Sequence, residues 1–162
     1  KVLAGVLGAG MSSRLFQKMR DDLGICYYVK TDADALSDHG LLTVSAGVPA
    51  LRAEEAVRAL LAEFALLRDE LVSDAELRKV KDCLKGNLAL ALESSDEFAE
   101  FYGMQEILRK ELKRPSDIAA EIEKVTSIEM QEVARDIFVS ERLNLALVGQ
   151  ASEEALARTL TL

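Results

Sequence analysis

The chain reads as an α+β protein in which an antiparallel or mixed β-sheet is packed on one face by helices. Three observations lead there. Apolar residues recur at three- and four-residue intervals over several stretches, two neighbouring stretches are instead rich in β-branched and aromatic residues, and one more apolar run lies beyond the helices. With 162 residues the chain can bury roughly 70% of the surface its unfolded form exposes, enough for one real core. Neither repeats nor linkers nor low-complexity tracts divide it, so one domain over residues 1–162 is expected.

Taken in order, Val2, Leu3, Val6 and Leu7 have the spacing of a helix, expected here to be the end of one cut short. Ser12 and Ser13 precede Leu15, Phe16, Met19 and Leu23, a pattern that predicts a short amphipathic helix capped by a serine and ended by Gly24 in a left-handed conformation. Residues 25–35 and 41–48 read as strands, joined through the polar turn Ser37-Asp38-His39-Gly40 into an antiparallel pair. From Arg52 to Leu71 one face carries Val57, Leu60, Leu61, Phe64, Leu67 and Leu71, with Glu54 and Glu55 in the first turn where the helix dipole favours them.

Ser73-Asp74-Ala75-Glu76 predicts a capping box for a second long helix through Leu77, Val80, Leu84, Leu88 and Leu92. Ser94-Ser95-Asp96-Glu97 opens a third, whose Phe98, Phe101 and Tyr102 are expected in the core or at its rim. Shorter helices are expected near 115–125 and 127–138, then a strand over Leu143–Val148 ended by Gly149, then a final helical turn or two. Only three strands are readable. An upstream strand is therefore expected to be missing, leaving the sheet with an open edge.

A formal net charge of −8 argues against nucleic-acid binding, which depends on clustered Lys and Arg. No apolar run reaches the ~20 residues of a membrane span, and the composition, 49% hydrophobic and 30% charged, is that of a soluble globular protein. The compartment stays open between periplasm and cytoplasm. Cys26 and Cys83 lie too far apart in sequence for a CxxC motif, so both are expected as reduced packing residues. His39 is expected as a solvated turn residue. The Gly8-Ala9-Gly10-Met11-Ser12-Ser13 segment lacks the third glycine of a dinucleotide fingerprint and the Lys-Ser/Thr of a P-loop, so a tight helix entrance is the better reading.

Several blocks together resemble the second half-domain of the M16 metallopeptidase family, the pitrilysin and mitochondrial-processing-peptidase type. They are Gly8-Ala9-Gly10-Met11-Ser12-Ser13-Arg14-Leu15-Phe16, the R-x-x-x-G-x-x-Y pattern of Arg20, Gly24 and Tyr27, Leu84-Lys85-Gly86-Asn87-Leu88, Val125-Thr126, and Leu143 to Gly149. The resemblance implies a metallohydrolase half-domain that pairs with another, zinc-bearing half or subunit to enclose a peptide substrate. The zinc-bearing half carries H-x-x-E-H. One histidine cannot build that motif, so no zinc ligand and no other cofactor is expected in this chain, and zinc is expected on the partner half. By the same resemblance Arg20 and Tyr27 would support catalysis, their N–H and O–H groups donating to a substrate carbonyl as it gains negative charge. Alone the chain is expected to be inactive and to self-associate through uncovered apolar surface. The alternative is a catalytically inactive scaffold or peptide-binding subunit of the same family.

Overall fold

The computed structural model describes residues 1–36, 38–108 and 111–162; Ser37 of the expected turn lies outside them. Helix α1, Val2–Gly8, is enclosed on every side, with Val2 through Leu7 all buried. A helix that is apolar all round belongs inside a core. Missing side chains are what let it in. A Cβ on Gly8 would overlap Thr31 Oγ1 and stand 2.6 Å from the Thr31 amide nitrogen. A Cβ on Gly5 would stand 2.6 Å from Val80 Cγ1.

Strands β1, Tyr28–Ala35, and β2, Gly40–Gly47, pair antiparallel in the register Tyr28↔Gly47 through Ala35↔Gly40. Alternation along β1 turns Val29, Thr31 and Ala33 towards α1, while Tyr28, Lys30, Asp32 and Asp34 are exposed. Opposite them on β2, Ala46, Val44 and Leu42 join the same core.

A short 3-10 turn, Ala50–Arg52, leads from β2 into α2, Ala53–Asp69, which is succeeded by α3, Asp74–Leu90. Helix α3 packs on α1 through Val80 and Leu84. Ser73 caps it by accepting from the Glu76 amide, but the reciprocal half of the expected capping box is absent. The Glu76 carboxylate has instead been taken by Arg14, in two parallel bonds of 2.8 and 2.9 Å.

Helix α4, Ser95–Leu108, is capped at Ser94 by Glu97, and α5, Pro115–Lys124, and α6, Ser127–Ile137, come after it. Thr126 and Glu129 form the full reciprocal box at the start of α6. Phe64 of α2 stacks face to face on Phe138, ring centroids 4.2 Å apart, and fastens α2 to the end of α6. Helix α7, Glu153–Thr159, buries Leu156.

Three expectations are corrected. Leu143–Val148 is extended but pairs with no described strand, so the sheet has two strands, and Leu145, Leu147 and Val148 are exposed. Strand formation needs a partner ladder as well as apolar residues. Helix α4 is largely uncovered: Phe98 is exposed, Phe101 and Tyr102 are half-buried at the rim without joining the core, and only Gln105 is buried. Cys26 is buried as expected, whereas Cys83 is exposed on α3.

Substituting Gly8→Ala forces a methyl group into backbone rather than into a yielding side chain. A loss of about 2–3 kcal/mol is expected in urea unfolding, the cost of overpacking; a loss below about 0.5 kcal/mol would show that α1 and β1 are not held this closely. Buried Glu63 on α2 supplies a pH test. Desolvation pushes its carboxyl above the usual carboxylate range, against the opposing pull of Arg14 and Lys18. The folded chain thus keeps this proton to higher pH than the unfolded chain, so the stability it contributes is present in acid and lost as pH rises. Glu63→Gln is expected to be near neutral at pH 4 and stabilising at pH 7. Equal effects at both pH values would contradict the burial argument.

Candidate functional site

The segment after α1 turns at Gly10, where Ser13 is buried and its hydroxyl donates to the Gly10 carbonyl oxygen at 2.7 Å. That hydroxyl therefore closes a turn and caps no helix, contrary to the sequence expectation. The chain next enters a π-helix, Phe16–Asp22, with the Leu23 amide donating to Lys18 O at 3.1 Å. The widened turn has a local cause in its anchors. Leu15 and Met19 are buried almost completely, and Gly24 at φ +58° lets Ile25 N–H reach back to Met19 O at 2.8 Å. Insertions of this kind recur at functional sites.

Ile25 and Cys26 then run buried and extended, and Tyr27 emerges just ahead of β1 with its N–H donating to Gly47 O at 3.3 Å. Tyr27 is 82% exposed. Arg20 meets it from the π-helix. The Arg20 guanidinium carbon lies 5.5 Å from the Tyr27 ring centroid and 4.8 Å from that of Phe16. Both expected site residues are thus brought together, and Phe16 is an unforeseen third member. Among the described residues Arg20 makes no ion pair, so neither Asp21 nor Asp22 holds it. Burial pushes the Cys26 thiol up against the pull of Arg20, which leaves it protonated and inert.

Beside the pair lies an open groove of about 590 Å³ between Gly24–Tyr28 and Gly47–Pro49. Arg52 bonds the turn at its Gly24 end. Its Nη1 donates to Leu23 O and to Gly24 O, each at 3.2 Å, while Nε and Nη2 bond the two Glu55 carboxylate oxygens at 2.7 Å. The Arg52 bonds hold the Glu55 carboxyl below the usual carboxylate range. Sequence reasoning placed Arg52 only at a helix start. An arginine that serves backbone carbonyls has no sequence signature, although the Arg-x-x-Glu spacing signals the ion pair.

A second, polar cleft of about 490 Å³ is lined by Ser12, Arg14, Gln17, Ala75, Glu76 and Lys79. Its cations are engaged, Arg14 by Glu76 and Lys79 by the Ser12 carbonyl at 2.9 Å. Of the glycine segment, Gly8 packs closely against the Thr31 backbone, whereas a Cβ on Gly10 would meet nothing. His39 is exposed in its turn and its Nδ1 lies 2.7 Å from Asp38 Oδ1. Among the described residues no three His, Cys, Asp or Glu side chains group so as to hold a metal ion, and no helix is long and apolar enough to cross a membrane.

A family model described as the peptidase M16 inactive domain matches residues 1–84. An uncharacterized zinc protease of Bacillus subtilis is 33% identical over 148 residues, 91% of this chain and 36% of that protein. A conserved protein of Enterococcus faecalis superposes with a TM-score of 0.75 at 26% identity, over 83% of this chain and 31% of that one. A peptidase M16 inactive domain from Pseudomonas fluorescens gives a TM-score of 0.74 at 18% identity, over 83% and 32% respectively, and so supports the fold alone. The chain spans about a third of the length of these relatives.

Gly24 tests how the site is held, because a Cβ there would meet nothing and only its positive φ demands glycine. Gly24→Ala is expected to cost about 1–2 kcal/mol in thermal or urea unfolding. A cost near zero would mean that the turn relaxes into another conformation.

Proposed function

Because the chain belongs to the peptidase M16 family through its inactive domain, we propose that it is the non-zinc half of a zinc-dependent peptidase, presenting Arg20 and Tyr27 to the carbonyl of a peptide bound at a zinc site on another half-domain or subunit. The residues of this chain do not fit the metal. Its one histidine is exposed in a turn beside Asp38, and its other carboxylates and thiols form no ligand group among the described residues. The role therefore rests on two donors.

The supporting observation is the way Arg20 is held. The guanidinium carbon lies over the Phe16 and Tyr27 rings, and among the described residues no carboxylate pairs with it, so its N–H donors are not committed to an ion pair. Those donors suit a carbonyl oxygen, and the charge suits one that gains negative charge as the peptide bond is attacked. Tyr27 adds an exposed hydroxyl from the opposite element.

In the assembled enzyme, Tyr27→Phe is expected to lower kcat/KM by about 10²–10³, the usual cost of losing one such donor. Stability should change by less than about 0.5 kcal/mol, since the side chain is at the surface. An unchanged rate would reduce Tyr27 to a ring on which Arg20 rests.

A further inference from the structure

Arg20 stands on the π-helix and Tyr27 just ahead of β1, and the chain between them turns at Leu23 and Gly24. That turn carries carbonyls left over where the π-helix ends. Unsatisfied groups at a helix end leave it free to fray. Arg52 donates to both Leu23 O and Gly24 O, so it ties them to the far wall of the groove, where Pro49 leads into its own 3-10 turn. Glu55 holds the opposite edge of the same guanidinium in two 2.7 Å bonds and so fixes its direction. The clamp touches neither ring and reaches both through the backbone.

We propose that Arg52, braced by Glu55, is the positioning residue that sets Arg20 against Tyr27 and keeps the groove beside them at its width. The proposal rests on the reading of Arg20 and Tyr27 as the donor pair. Lysine cannot replace Arg52 here, since one ammonium on a flexible stem lacks the planar fork that serves two carbonyls and a carboxylate together. Arg52 itself stays clear of substrate. Its effect is therefore expected in turnover more than in binding.

Two readouts separate the clamp from the reading beneath it. In NMR spectra of the 162-residue chain, the Arg20 side-chain resonances should carry the ring-current shift of the Phe16 and Tyr27 rings. Arg52→Ala is expected to abolish most of the Tyr27 part of that shift while the buried Leu7 and Leu15 methyl groups keep theirs. Arg52→Lys and Glu55→Gln should each cause a partial loss, and they carry the test alone if Arg52→Ala does not fold. In the assembled peptidase, kcat should fall about tenfold in Arg52→Ala, with KM changed by less than about twofold. An Arg20 shift unaltered in all three variants overturns the proposal. A lost shift with undiminished kcat upholds the clamp and overturns the donor-pair reading instead.

Discussion

Helix α1 has no solvent face, and that condition fixes its neighbours more tightly than any polar contact in the chain. Protein interiors are close-packed, so a helix admitted on all sides must match each wall at the level of single methyl groups. Gly8 brings the backbone of β1 against it, Gly5 brings Val80 of α3, and Val2, Leu3, Val6 and Leu7 fill the remaining space. Where α1 ends, the chain has little freedom left. The Arg14–Glu76 fork ties the next segment to α3, and Leu15 and Met19 sink into the same core.

The site inherits its position from this arrangement. Met19 is anchored, so Arg20, one residue on, must face outward, and the π-helical turn places it beside Phe16. Ile25 and Cys26 anchor the other side of the Gly24 turn, so Tyr27 must emerge at the surface next to β1. Two buried anchors on each side of one glycine thus bring two exposed side chains to the same place.

Much of this was legible in the sequence, for reasons that differ by element. The hairpin was readable from the β-branched and aromatic residues of its two stretches and the polar turn between them. The long helices were readable from their periodicity and from Ser73, Ser94 and Thr126 at their entrances, all of which cap. Leu143–Val148 and α4 were misread for one shared reason. Apolar residues show that a segment seeks cover, but not whether its neighbours supply it: the first finds no ladder partner among the described residues, and the second leaves Met104, Ile107 and Leu108 in solvent. In the site, Gly24 was readable from backbone geometry, and Arg20 and Tyr27 from family resemblance. The roles of Phe16 and Arg52 depend on a widened helical turn and on leftover carbonyls, which exist only once the chain has folded.

Three arginines show how one side chain can be built into structure or kept for chemistry. Arg14 and Arg52 are each gripped edge-on by a carboxylate, which uses two of their in-plane donors and holds both cations charged. Their directional bonds are spent inside the molecule. Arg20, with two aspartates immediately after it in sequence, is held by ring faces instead. Had Asp21 or Asp22 taken it, the bond would have cancelled its charge locally and occupied the edge that a peptide carbonyl requires. Stacking stabilises by only about 0.5–1 kcal/mol at an exposed position. It holds Arg20 without a carboxylate among the described residues, and so leaves its charge uncancelled beside the groove.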